Sequence, residues 1–459
     1  MQKAIRREID LTSGSLLKKL LVVALPLILT NILQVLFNVA DVAVIGIFKG
    51  DDAVAGVGAN TSLIHLITNV FIGLATGASV VLAKYIGQKD LERARKLVGT
   101  AILISVIIGV ALIFVGLFFA ETFLTWMNCD PEILNLAALY LRVYFIGMPI
   151  IMLYNFSAGI LRAVGDTLRP MLYLVLGGVI NVGLNVFFVT VCDMSVDGVA
   201  IATVVSQAIS ALLATIAMIR SDGYSKLQFK HLKIYKAELK EIIKVGLPSG
   251  LQASMFSISN VIIQSTINTF LKVGTTANAI ASQFDSFVAQ AGSGVAMANM
   301  SIVSQNYGAQ KINRIKKAIL YAVGTVMCIN VCMGLFMVLF ADPLCRTMTQ
   351  DPIVIELAKV RLNILCSTFV IGGVMDVLTF SLRSLGKSTT AMVISILFIC
   401  VFRIIWINTF YLLNPTFAMI YYSYPISWLL SVIVDIIFLT ITIKHLTKKF
   451  ANNSNGELL

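Results

Sequence analysis

The sequence predicts an all-α polytopic membrane protein, with twelve transmembrane helices in two six-helix lobes related by a parallel internal repeat. Three observations carry that prediction. Hydrophobic residues make up 58% of the 459-residue chain and charged residues 13%, against roughly 25% charged in soluble domains. Charge-free runs such as 97–120, 245–271 and 318–341 are long enough to cross a hydrocarbon core about 30 Å thick. Three loop motifs recur at one offset, 221 residues. The apolar runs do not alternate with period two, so a strand barrel is excluded and α-helices remain as the spanning element.

The expected spans are 20–48, 54–83, 97–120, 133–160, 171–191, 197–219, 245–271, 277–306, 318–341, 353–382, 389–412 and 416–443. Loops between them are short, and the longest polar piece, 220–244, carries seven Lys or Arg at the middle of the chain. Twenty-eight of the 35 basic residues fall on one side of the membrane if the N-terminus is cytoplasmic, whereas the opposite loops hold Lys49, Lys272 and Arg346. The excess of positive charge on cytoplasmic loops then places both termini in the cytoplasm.

The repeat is visible in the loops. IGQKDLERARK at 86–96 is answered by YGAQKINRIKK at 307–317, DPEILNLA at 130–137 by DPIVIELA at 351–358, and LRAVGDTLRPM at 161–171 by LRSLGKSTTAM at 382–392. Pro26 and Pro248 stand 222 apart. The expected organisation is an N-terminal six-helix lobe at 1–222, a basic cytoplasmic linker at 223–244 and a C-terminal lobe at 245–459. An even number of spans per lobe gives both the same orientation, with the substrate path expected between them.

Polar groups inside the spans are the candidate functional residues. In the first span Asn31, Gln34, Asn38 and Asp41 are spaced three, four and three apart, on one helical face. A carboxylate there costs a few kcal/mol unless paired, hydrated or protonated, and is a functional hypothesis by default. The second span has Ser62, His65 and Asn69 at similar spacing, and His65 could shuttle protons or simply hydrogen-bond in the bundle. At about 1.5 Å per residue, Asp41, Asn185 of the fifth span and Thr203 of the sixth share one depth, about 10 Å below the external surface, with Asn181 a turn deeper. A carboxylate, two amides and a hydroxyl suit a proton or a hard cation such as Na⁺ at Asp41, Asn181 and Thr203. Interhelical hydrogen bonding that glues the bundle is the competing reading.

The second lobe differs. Shifted by 222, Asp41 falls on Ile263 and Asn38 on Asn260; shifted by 221, Asn181 falls on Phe402 and Asn185 on Trp406. This lobe instead carries Asp285, Asp376, Arg403 and Asp435. Arg403 is expected to reach Asp376 in a structural ion pair, with a cation-binding role for Asp376 left open. Arg142 and Arg403 read as the basic residues deep in the spans. Gln283, Ser286, Gln290 and Ser293 form a further stripe. Gln34, Asn38, Asn260, Gln283 and Asp376 are the expected lining of a water-filled substrate cavity.

Other classes are excluded or disfavoured. The net charge of +12 sits in loops between apolar runs, which speaks for membrane orientation and against nucleic acid. Seven cysteines, several of them inside spans, make neither a disulfide framework nor a zinc site. A cleavable signal peptide is not expected. No phosphate-binding loop or zinc-protease motif occurs, so the protein is not expected to be an enzyme. No cofactor is expected beyond a coupling ion.

Pro26, Asp41, YIGQKD at 85–90, LRAVGDTLRPM at 161–171, INVGLN at 180–185 and DGVAIATVVSQ at 197–207 together resemble the bacterial multidrug and toxic compound extrusion (MATE) transporters. The resemblance covers essentially the whole chain. It implies a secondary efflux transporter of the bacterial plasma membrane, exporting cationic or amphipathic drugs against H⁺ or Na⁺ and acting as a monomer. It assigns ion coupling to the acid at Asp41, to Asn181 and to Thr203. The family commonly has a further Asp where this chain has Asn185, which removes one negative charge. Asp376 is similar to an acid used in the second lobe of one branch, but the seventh span has Asn260 and Gln264 and no acid. A lipid-linked precursor flippase of the same superfamily is the alternative; it would want a basic cavity. A channel is a more remote one.

Overall fold

The computed structural model describes residues 8–127 and 129–456, excepting the side chains of 51, 52, 54–56, 59, 61, 62 and 453–456. Ser62 of the second-span stripe is among those excepted. The first half of the chain folds into α1 (Leu16–Lys49), α2 (Asp51–Gln88), α3 (Leu91–Trp126), α4 (Pro131–Ile146), α5 (Met148–Ala163), α6 (Leu168–Thr190) and α7 (Val196–Ile219). The second half gives α8 (Lys236–Asn268), α9 (Leu271–Gly308), α10 (Ile312–Leu339), the short α11 (Ala341–Arg346), α12 (Pro352–Ser384), α13 (Ser388–Ser395), α14 (Phe402–Asn408), α15 (Phe410–Leu413) and α16 (Phe417–Gly456). A 3₁₀ turn, Phe229–His231, lies between α7 and α8, and a π turn, Ile396–Val401, joins α13 to α14. No strand occurs among the described residues.

Nine of these helical stretches are long and apolar enough to cross a membrane, and the bent pair α4–α5 makes ten. The long helices α8 and α9 complete the twelve expected segments, and they are richer in polar side chains. Large apolar side chains such as Phe118, Leu320, Leu339 and Ile441 are exposed along the helices. In a bilayer such faces meet hydrocarbon instead of water. All seven cysteines are free.

The chain divides into two compact units. One comprises residues up to Asp10 and Leu33–Ser254; the other comprises Leu11–Ile32 and Met255–Leu459. Of the three boundaries, those after Ile32 and Ser254 fall inside helices. Thus α1 gives residues 16–32 to the second unit and 33–49 to the first, and α8 is shared in the mirrored sense. The first unit is cored by side chains including Ile45, Leu124, Leu141, Phe145 and Met148, and the second by Leu362, Cys366, Ile420, Tyr421 and Trp428.

The repeated loop motifs are repeated pieces of local chemistry. Asp130 and Asp351 each accept a backbone N–H two residues on, at 2.9 Å, and each is followed by Pro at the first helical position. That pairing satisfies an orphan helix-terminal donor and pre-sets the backbone angle. Gly165 and Gly386 hold φ of +81° and +78°, and Lys89 and Gln310 hold 59° and 56°, so the chain turns left-handed at the same places in both halves.

The halves differ where single residues differ. The expected fourth span, 133–160, is broken by a 52° bend between α4 and α5, at Gly147, Met148 and Pro149. Proline cannot donate to the helical ladder and crowds the preceding turn. Its counterpart 221 residues on is Val370, and α12 runs through unbroken. The π turn has no partner in α6. A π turn absorbs one extra residue, so beyond it the correspondence between halves moves from 221 to 222. The residue that corresponds to Asn181 at the shifted offset is Arg403, where the offset of 221 gives Phe402.

Within the first unit, α2 and the start of α8 meet through four glycines, Gly73, Gly77, Gly246 and Gly250. A methyl group on Gly73 would overlap the Gly250 backbone, and one on Gly77 that of Ile242 and Gly246. Small residues four apart let helix backbones touch, a means of holding membrane helices together without a hydrophobic drive. The segment before α8 is docked as well: Tyr235 N–H donates to Thr100 Oγ1, whose hydroxyl donates to the Lys233 carbonyl. Glu8 accepts from the backbone N–H of Tyr224 and Ser225, both at 3.0 Å.

Candidate functional site

The first unit brings Asp41 of α1, Asn181 and Asn185 of α6 and Thr203 of α7 into one hydrogen-bonded line. Asn185 Nδ2 donates to Asp41 Oδ1 at 2.6 Å and to Asn181 Oδ1 at 3.4 Å; Asn181 Nδ2 donates to Thr203 Oγ1 at 3.4 Å. The two asparagines are one helical turn apart, so they point the same way. Both are buried, and Asn185 Oδ1 has no hydrogen-bond partner although it is sealed from solvent. No ion pair to Asp41 occurs among the described residues. The end of α1, eight residues past Asp41, is tied to the α6–α7 turn by the Lys49–Asp193 ion pair. Bonding to Lys49 holds the Asp193 carboxyl below its ordinary range.

Tyr140 and Tyr144 of α4 stack with centroids 6.1 Å apart and lie within electrostatic reach of Asp41. Sequence reasoning missed them. Their i, i+4 spacing in an apolar span was the available signal. The rest of the first-span stripe is not drawn into this cluster. Asn31 is buried and donates to the Gln290 carbonyl within the second unit, at 3.2 Å. Gln34, Asn38 and His65 are exposed.

The second unit contains a partly open cavity of about 290 Å³. Asn260 of α8, Asp376 and Phe369 of α12, Arg403 of α14, and Tyr424 and Trp428 of α16 contribute to its wall. Gln283 is half-buried on α9 and is not part of that wall. Asp376 and Arg403 therefore share a cavity, but the expected ion pair between them is absent. Arg403 Nε–H donates instead to Ser427 Oγ at 3.0 Å, and its guanidinium lies over the Tyr424 ring at 3.8 Å and near Trp428 at 6.0 Å. Helix rotation explains the difference: depth along the axis placed Arg403 near Asp376, but azimuth turned its Nε toward α16.

The other charges within the spans have partners of their own. Asp285 is paired with Arg361, at 2.7 Å, and Arg361 also bonds Asn278, which accepts from Tyr421 Oη at 2.8 Å. Arg361 is thus a mostly buried cation beyond the two expected deep in the spans, whereas Arg142 is half-exposed and paired with Glu121. Asp435 is fully buried, accepts from Thr379 Oγ1 at 2.9 Å and feels the charge of Asp376.

Two repeated bundles of membrane helices, each enclosing ionisable side chains of its own, define a polytopic membrane transporter. Comparison with known proteins gives its family. The MatE family description matches residues 26–187 and 248–409, one match per repeat and again 222 apart. The chain belongs to that family. It is 26% identical over 380 residues to the probable multidrug resistance protein YoeA of Bacillus subtilis, covering 81% of this chain and 82% of that one. Identity is also 26% to the probable multidrug resistance protein NorM of Thermotoga maritima, with 84% of each chain covered. Among solved structures, an outward-facing multidrug resistance MATE transporter of the MOP superfamily superposes with a TM-score of 0.91 at 24% identity, over 97% of this chain and 100% of that one. The last comparison establishes the fold.

Proposed function

We propose that this protein is a secondary efflux transporter that exports amphipathic organic cations against an inward flow of H⁺ or Na⁺. It does so in the bacterial plasma membrane, as a monomer with both termini cytoplasmic. The observation that carries the reading is Asp41, a carboxylate inside a spanning helix whose neighbours are amides, a hydroxyl and two tyrosines. Such a carboxylate is expensive in a bundle, and uptake of a proton or cation relieves that cost. Asp41, Asn181, Asn185 and Thr203 are the proposed coupling residues. The oxygens of Asp41, Asn181 and Thr203 would hold Na⁺ if that is the ion; protonation of Asp41 serves the same end with no further ligand. The unpartnered Asn185 Oδ1 supports an incoming donor or cation. Asn260 and Asp376 are proposed to receive the cationic part of a substrate, and the multidrug names of the relatives support drug-like cargo.

The test is uphill efflux of a fluorescent cation in everted vesicles. Asp41→Asn should abolish it, whereas efflux at the parental rate would remove Asp41 from coupling. Replacing Na⁺ by choline at fixed pH separates the two ions: loss of efflux assigns Na⁺, and persistence assigns H⁺.

A further inference from the structure

A buried guanidinium in a membrane bundle normally has a carboxylate partner, as Arg361 has Asp285. Arg403 does not. It is 4% exposed, and among the described residues it joins no ion pair and makes one hydrogen bond, through Nε. Its two terminal amino groups form none. None of its nitrogens is among the buried polar atoms that lack a partner, so those amino groups are reachable, and the space they reach is the cavity whose wall Arg403 helps to form. The guanidinium is also fixed in place. Ser427 holds one edge, and the guanidinium carbon lies 3.8 Å from the Tyr424 ring centre and 6.0 Å from that of Trp428. That leaves a two-pronged donor on the wall of a partly open, aromatic-lined cavity, a geometry that matches a carboxylate. The cavity is close to the lower end of the ~300–1,000 Å³ usual for small-molecule sites. Asp376, which joins no ion pair among the described residues, is on the same wall.

We propose that Arg403 is a carboxylate-recognising residue. It makes the second-unit cavity a site for aromatic molecules that carry a carboxylate beside their cationic amine, with the amine toward Asp376 and the carboxylate on the guanidinium. Arg403 then adds a carboxylate-selecting group to a wall where the transport reading by itself assigns only receivers for a cation. The inference deepens that reading and rests on it for the route of the ligand, but binding can be measured without transport.

The experiment uses a xanthene dye with a free carboxylate and its methyl ester, titrated by fluorescence anisotropy against the full-length protein in detergent. The parent should bind the acid at least as tightly as the ester. Arg403→Gln should shift the acid-to-ester affinity ratio by roughly tenfold or more toward the ester. Arg403→Lys, which keeps the charge and loses the fork, should shift it by an intermediate amount. An equal loss for both dyes in Arg403→Gln would mark Arg403 as a packing residue and overturn the proposal. No change in either dye, or a parent that binds the ester alone, would overturn it too. Gradient-driven efflux of the ester by the parent protein reports separately on the transport reading, so failure of one is distinguishable from failure of the other.

Discussion

The two lobes are built from one plan and hold opposite interior chemistry. In the first, Asp41 accepts from Asn185, which leads on through Asn181 to the Thr203 hydroxyl, and among the described residues it joins no ion pair. In the second, Asp285 is answered by Arg361, and the charge left over in the cavity wall includes a cation, Arg403. Pro26 and Pro248, the Asp-Pro caps and the left-handed Gly165 and Gly386 survive in both halves because each sets a helix end or bend that the fold needs. Interior side chains are free of that demand. A repeat therefore preserves the scaffold and lets each lobe acquire its own site, which is why coupling is proposed for one lobe and ligand discrimination for the other.

The comparison can be broken at its charges first. Asp285→Ala leaves Arg361 buried without its partner and should cost about 3–5 kcal/mol, seen as a large drop in unfolding temperature in detergent. The double variant with Arg361→Met should recover much of it. Asp41→Asn, which removes an unanswered charge, should not lower that temperature. If Asp41→Asn destabilises as much as Asp285→Ala, the contrast between an open and a neutralised carboxylate is wrong.

A smaller effect is expected at the helix crossings. Gly73→Ala forces a methyl into the Gly250 backbone in the first unit, and overpacking of this kind costs about 1–3 kcal/mol. In the second unit Gly294 approaches Ile28 of α1 less closely, with a built methyl 2.8 Å from its backbone nitrogen. Gly294→Ala should therefore lose less monodisperse protein on size-exclusion chromatography than Gly73→Ala, and the reverse order would show that the four-glycine contact is dispensable. The smallest change is Thr203→Ala. It removes a 3.4 Å hydrogen bond, worth about 0.6 kcal/mol in a membrane bundle, and with H⁺ as the coupled ion should slow efflux a few-fold at most. Complete loss of efflux would mean that Thr203 is itself an ion ligand.

Much of the candidate site is legible in the amino-acid sequence. A bilayer gives every span a common origin, so counting residues at a fixed rise per residue puts Asp41, Asn185 and Thr203 at one level, and the fold hydrogen-bonds Asp41 to Asn185 and links Thr203 through Asn181. The bend at Pro149 is written in the sequence as well, but a span read as one apolar run hides it. Tyr140 and Tyr144 are hidden in the same way, since an aromatic pair in an apolar run looks like lipid-facing filler.

The sequence by itself determined the helical class, the segments, the repeat and the depth of each polar group, because those follow from hydropathy, from caps and from a constant rise along an axis. What only the tertiary structure decided is azimuth: which neighbour each buried charge faces once helices are rotated and packed. That choice gave Asp285 to Arg361, turned Arg403 from Asp376 toward Tyr424 and Ser427, and used a π turn to shift the register by one residue. Rotation about a helix axis is set by packing against other helices, and one strand of sequence does not carry it.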